Sequence, residues 1–375
     1  MPANTAPGDD RRAPRRYRLV AVLAGAALAA GAVTAVGVGY AGATAGPRGT
    51  AGGLSAGQPA AAARPAPSGQ PAPVPAPPPP VAGTACGAAF TTELPGETYQ
   101  QALAREDRTI GRLDLARVFY PGLPPAWPGK VDMSGRPMVV SFKAPPAEIL
   151  AGTDDHALTG WFAGAPRAQD TYWVYYHEPE DNIAAGMFTA DQYRRAWQHL
   201  GALARAAKNP RLHATLVLMG WSTQPASGRN WRDYFAGTGT IGVLAWDTYN
   251  TGYRKGVYLT GAQLFGTQVA INRSLGLPIG VAETGSPLVG TDAGAGRAAW
   301  IRDITGYLRA NGALFVSYFD LDWSSHGVVD YRLRDAASGE PLTKAHTIQV
   351  AVDMATREMQ YVCPPVLLAR LGLTP

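Results

Sequence analysis

At 375 residues the chain is long enough for one large domain or two modest ones, with ample core for either. Only 16% of its residues are charged and the formal charge is +5. Residues 1–45 hold five of the 33 basic residues and two of the 28 acidic ones, so the remainder is nearly neutral and free of basic runs, which excludes a nucleic-acid partner.

The five arginines, Arg11, Arg12, Arg15, Arg16 and Arg18, precede an uncharged stretch at 19–39 and then Ala43-Thr44-Ala45. Basic, apolar and small-residue segments in that order form a secretory signal, with cleavage expected after Ala45. The apolar stretch is also long enough to span a bilayer, so residues 19–39 are the alternative membrane tether. Either way the chain is expected to be exported, secreted or held at the cell surface. Residues 46–84 are Ala, Pro, Gly and Gln with almost no large apolar side chain. Such a segment cannot bury enough surface to fold and reads as a disordered spacer. The chain has two cysteines, Cys86 just after the spacer and Cys363 near the C-terminus, and a disulfide between them would close a domain at 85–375. Loop-closure entropy puts its contribution at about 4–5 kcal/mol.

After the spacer, apolar β-rich runs alternate with helical patterns. Strands are expected at 86–92, 114–120, 137–143, 171–177, 212–220, 241–247, 278–283 and 313–320. Thr189 with Gln192 and Thr260 with Gln263 are capping boxes. The first opens a helix carrying Tyr193, Trp197, Leu200 and Ala204; the second opens one closed by Gly276 and Pro278. A third helix carries Trp300, Ile301, Ile304 and Leu308 and ends at Asn311-Gly312. Apolar strands separated by helices or long loops argue for parallel pairing buried on both faces. The solutions are an open doubly wound sheet and a closed (β/α)8 TIM barrel. Eight units at close to barrel size favour the α/β barrel, which also brings its first and last segments together.

A barrel carries its chemistry at the C-terminal ends of its strands. Those ends read Tyr120, Lys143, His177-Glu178, Trp221, Asp247 with Tyr249, Glu283, and the run Tyr318 to Trp323. The fourth strand sits in the stretch TYWVYYHEPED at 171–181, where an oily run stops at His177-Glu178-Pro179. A carboxyl at that rim is half out of water, and partial burial raises its pKa toward neutrality, as a general acid requires. Glu180 and Asp181 are alternatives for the acid, turned off the strand axis by Pro179. Glu178 and Glu283 lie across the barrel mouth from each other, placed to flank one bond of a substrate. Two carboxylates with aromatic neighbours suit glycoside hydrolysis: one protonates the leaving oxygen and the other attacks the anomeric carbon, about 5–5.5 Å away if configuration is retained. Trp221, Tyr318 and Trp323 offer apolar faces to sugar C–H surfaces, and Asp247 and Asp320 offer polar contacts.

Other chemistries fit less well. A zinc-protease helix needs a second histidine at position 181, which is aspartate. The remaining histidines lack ligand spacing, so no metal and no cofactor are expected. The glycine pattern at 237–242 precedes a strand instead of opening a helix, and no Gly-x-Ser-x-Gly elbow is present.

His-Glu at strand four, Asp-x-Tyr (Asp247, Tyr249) at strand six and Glu283-Thr284-Gly285 at strand seven resemble glycoside hydrolase family 26, in the clan of retaining (β/α)8 enzymes. The stretch Asp114-Leu115-Ala116-Arg117-Val118-Phe119-Tyr120 is similar to that family's second strand. The resemblance runs thinly across 86–330. It implies that Glu178 is the acid/base and Glu283 the nucleophile, with Tyr249 orienting the nucleophile. His177 would help hold the catalytic centre and Trp323 would line the sugar subsite. The expected protein is thus an exported, monomeric, retaining glycoside hydrolase acting on a β-linked polysaccharide, foremost β-1,4-mannan. Mixed-linkage β-glucan and xylan are alternative substrates, and a non-catalytic glycan-binding barrel is the alternative of another class.

Overall fold

The computed structural model describes residues 83–333 apart from 110, 293 and 327. The leader, residues 46–82 of the spacer and Cys363 lie outside the described residues. Cys86 sits buried on the first strand.

Eight strands follow in order: β1 (Ala85–Ala89), β2 (Leu115–Tyr120), β3 (Met138–Phe142), β4 (Thr171–Tyr175), β5 (Leu212–Met219), β6 (Val243–Asp247), β7 (Ile279–Thr284) and β8 (Phe315–Phe319). Each pairs in parallel with the next, and β8 pairs with β1 to close the barrel. The eight expected strands are all present, most of them trimmed at their ends, with β1 starting one residue earlier and β7 ending one residue later than expected. α1 (Tyr99–Thr109) follows β1, and α2 (Pro146–Leu150) with α3 (Asp155–Gly164) follows β3. α4 (Glu180–Ala184) and α5 (Ala190–Ala206) follow β4, α6 (Gly261–Leu275) follows β6, and α7 (Ala295–Ala310) follows β7. Among the described residues, no α-helix separates β2 from β3 or β5 from β6. The first of these connections begins PGLPPAWPGK, whose four prolines deny a helix its backbone donors. The second is built from short 3-10 turns, among them Gly220–Thr223 and Trp231–Tyr234.

Strand alternation sorts side chains into two apolar layers. Leu115, Val139, Tyr172, Val174, Val217, Val243, Ala245, Ala282 and Phe315 fill the barrel. A second layer packs the barrel's outer face against the helices, α5 contributing Tyr193, Trp197, Leu200 and Ala204. α5 begins with the expected capping box, Thr189 accepting from the Gln192 N–H while Gln192 reaches back to the Thr189 N–H. α6 has the same box at Thr260 and ends on Gly276, left-handed at φ 66°.

Two irregularities shape the mouth. β7 bulges at its C-terminal end: Trp246 pairs with Val281, but the next residue, Asp247, pairs with Glu283. A bulge re-aims the side chains beside it, and here the residue concerned is Glu283. β4 ends at Tyr175 instead of continuing to 177, because Tyr176 and Glu178 both take left-handed backbone angles, φ 47° and 48°.

Candidate active site

Glu178 owes its position to that break. Left-handed angles are costly for residues with a Cβ and persist only where the surroundings enforce them. The Tyr176 N–H donates to Phe142 O at 2.8 Å and the Glu178 N–H to Val217 O at 3.1 Å, so neighbouring strands pin the turn on both sides. The Tyr193 hydroxyl, from α5, lies 3.2 Å from Tyr176 O and 3.3 Å from Tyr175 O. The side chain so held is half-buried at the mouth. Burial, reinforced by the negative charges of Glu283 and Glu180, pushes the Glu178 carboxyl up to about 8 against the opposing pull of Lys143 and Arg117. At neutral pH it carries its proton.

Glu283 arrives from the other side of the barrel and is 5% exposed. Its Oε1 accepts from Arg117 Nη2 at 3.2 Å and its Oε2 from the Tyr249 hydroxyl at 2.6 Å. Arg117 in turn donates to Ser141 Oγ at 2.7 Å. Burial and the adjacent Glu283 charge raise the Tyr249 phenol well above its ordinary value, so Tyr249 stays a donor. The carboxylate is clamped from two directions, with the orientation of its oxygens fixed.

Around this pair stand three more ionisable groups. Asp247 ends β6 beside Glu283; burial and then the Glu283 and Glu178 charges raise it well above the usual carboxylate range. Neither of its oxygens has a hydrogen-bond partner among the described residues. His177 is kept neutral by burial and by the cations Lys143 and Arg117, and its ring meets Phe119 edge-on at 5.3 Å. Lys143, half-buried just past β3, has its Nζ 5.0 Å from the centre of the Tyr176 ring. Burial lowers its pKa, with the Glu178 and Glu283 charges working the other way.

The aromatic rim divides. Trp323 is half-buried and packs on Phe319 at 5.9 Å, which packs edge-on against Tyr249 at 5.7 Å. A continuous wall therefore runs from Trp323 to the partner of Glu283. Trp221 projects from the turn after β5, 49% exposed.

Two expected substrate contacts are corrected. Tyr318 faces outward from β8 into the layer beneath the helices, with its hydroxyl 2.8 Å from Tyr331 O and 3.2 Å from Ser286 O. Strand parity explains this, since Phe315 and Phe319 take the inward positions. Asp320 is fully buried, accepting from the Leu333 N–H at 2.6 Å and hydrogen-bonded to the Glu106 side chain. Neither faces a substrate. The alternative acids are committed as well. Glu180 is fully buried, accepting from the Met219 N–H at 2.8 Å and Ser222 Oγ at 2.9 Å, and Asp181 pairs with Arg229.

Arg117 is the member of this candidate site that is missed when only strand ends are read. It is 1% exposed inside an otherwise apolar strand. The signal was there: in LARVFY it takes the inward parity between Leu115 and Phe119, and a buried arginine needs a carboxylate.

No family model matches the chain, and no curated protein matches it. Solved structures do. The catalytic domain of a GH26 endo-β-1,4-mannanase from Bacillus sp. JAMB-750 is 10% identical, over 74% of this chain and 86% of that one, with a TM-score of 0.52. A glucosidase from Croceicoccus marinus is 12% identical over 76% and 69%, with a TM-score of 0.50. A GH26 β-mannanase from Bacteroides ovatus is 12% identical over 75% and 89%, with a TM-score of 0.49. At such identities the likeness is one of fold, the eight-stranded parallel barrel.

Proposed function

We propose that the chain is a retaining glycoside hydrolase of the family 26 type, acting on a β-linked polysaccharide. The observation that carries this reading is a complementary pair of glutamates at one barrel mouth. Glu178 keeps its proton at neutral pH, while Glu283 accepts from Arg117 and Tyr249 and points both oxygens in fixed directions. The first is suited to protonate a glycosidic oxygen and the second to attack the anomeric carbon; after the intermediate forms, Glu178 takes a proton from the incoming water. His177 braces Phe119 beside the pair, Asp247 offers unpartnered oxygens to a sugar hydroxyl, and Trp323 and Trp221 bind sugar faces. Among the described residues, the most exposed large apolar side chains are Leu94, Met187, Trp221 and Val257. All four lie on connections leaving the C-terminal ends of strands, the face on which a long glycan would lie.

β-1,4-Mannan is the substrate we favour, with mixed-linkage β-glucan and xylan behind it. Export through the leader, display on the spacer and a Cys86–Cys363 disulfide belong to the same proposal. The test is release of reducing sugar from these three polysaccharides by the full chain, with product configuration followed by proton NMR. Hydrolysis with retention by wild type, and none by Glu283→Ala, supports the reading. Binding without hydrolysis overturns it in favour of a glycan-binding barrel.

A further inference from the structure

Among the described residues, Arg117 and Lys143 are cations that act on Glu178, and they are placed differently. The Arg117 guanidinium is taken up by Ser141 and Glu283. The Lys143 ammonium makes no hydrogen bond or ion pair among the described residues, and its contact is with the face of Tyr176. Register fixes where it stands. Phe142 pairs with Tyr175, so the next residue of each strand, Lys143 and Tyr176, are neighbours, two positions before Glu178. Burial lowers the Lys143 pKa, and a negative charge on Glu178 or Glu283 opposes that shift.

We propose that Lys143 is a positioning residue for the acid/base, its ammonium held over Tyr176 to balance the negative charge that Glu178 acquires on giving up its proton. The proposal rests on the hydrolase reading. In the first step a Glu283 oxygen forms a bond to the anomeric carbon as the bond from that carbon to the leaving oxygen breaks. The proton of Glu178 passes to the leaving oxygen, and the Glu283 charge is consumed in the new ester. One negative charge therefore moves from Glu283, beside Arg117, to Glu178. Arg117 remains bound at the Glu283 side, and Glu180 near Glu178 is itself an acid and gives no relief. His177 is kept neutral by burial, and Asp247 is an acid that offers no positive charge. Lys143 is the cation left to meet the new carboxylate. When water later attacks the ester, Glu178 recovers a proton from it and the negative charge returns to Glu283.

Glutamate labelled with 13C at the side-chain carboxyl, in the full chain, reads this directly without a substrate. The Glu178 resonance is assigned by its loss in Glu178→Gln. In Lys143→Gln its titration midpoint should rise by about one pH unit, the shift typical of losing a nearby opposite charge. Lys143→Arg should restore it. In parallel, the alkaline limb of kcat/KM on β-1,4-mannan should move upward in Lys143→Gln and return in Lys143→Arg. An unmoved Glu178 midpoint in Lys143→Gln overturns the proposal, as does equal displacement in both variants. Absence of wild-type hydrolysis on every β-glycan would sink the hydrolase reading instead, leaving the titration to judge the Lys143–Glu178 coupling.

Discussion

Arg117 on β2 donates to Glu283 on β7 across the interior of the barrel, joining residues 166 positions apart through a 3.2 Å hydrogen bond. Both side chains are buried, and a buried ion pair is costly to break from one side because the survivor keeps its charge. Arg117→Met is therefore expected to lower stability by about 3–5 kcal/mol in urea unfolding. Loss of a donor oriented on the reacting carboxylate should also reduce kcat by about 100-fold or more. Arg117→Lys returns the charge without the fork that reaches Ser141 and Glu283 together, and should recover only part of each. A wild-type urea midpoint together with a wild-type kcat in Arg117→Met would show that the contact supports neither fold nor site.

On the proposed mechanism, the pH dependence of catalysis comes from Glu178. Its carboxyl is pushed up to about 8, so it is protonated below that pH and can serve as the acid. Hydrolysis of polysaccharide is expected to fall as pH rises through about 8. Glu178→Gln should slow polysaccharide by about 100- to 10,000-fold while largely sparing aryl glycosides whose leaving groups need no proton. Measuring kcat/KM on both substrate types across pH checks this. Equal losses on the two would remove Glu178 from the acid's role.

The barrel was legible because each strand is a short oily run bounded by turn residues, and the caps at Thr189 and Thr260 announce two of its helices unaided. Glu178 and Glu283 stand out as candidates for a related reason: each ends an apolar run abruptly. What could not be read was parity. Tyr318 and Phe319 are adjacent aromatics at the end of β8, and only the barrel's closure shows that Phe319 faces in and Tyr318 out. Asp320 looks like an active-site carboxylate until Leu333 and Glu106, remote in sequence, are seen to occupy it. The β7 bulge left no mark in GVAETG, although it sets the direction of Glu283.

Trp221 is 49% exposed, and under the proposed function its ring is a platform on which a sugar face stacks. Trp221→Ala should leave stability within about 0.5 kcal/mol of wild type. It should weaken polysaccharide binding by about 0.5–1.5 kcal/mol, up to roughly tenfold in KM, with kcat little changed. Affinity electrophoresis in mannan-containing gels, beside thermal unfolding, separates the two. Unchanged mobility in the gel would take Trp221 out of the binding surface.

Glu106 on α1 and Asp320 beyond β8 form a second carboxyl pair, sealed from solvent and hydrogen-bonded to each other. Two buried carboxyls in contact are compatible only if a proton lies between them. Burial and the Asp320 charge hold Glu106 well above its ordinary 4.5, although Arg105 lies 2.5 Å away and works in the opposite direction. Asp320 is raised too, by burial. The folded chain thus retains a proton that the unfolded chain releases, which fixes the sign of the linkage. The stabilising contribution is complete below pH 4.5 and is lost progressively as pH climbs toward the folded-state values. For each pH unit in which the folded state holds one proton more, about 1.4 kcal/mol is lost. Glu106→Gln keeps a donor for Asp320 and removes one ionisation, so its stability should decline less steeply with rising pH. Urea midpoints for the two proteins at a series of pH values give the comparison. Parallel curves would mean that no shared proton ties α1 to the end of β8.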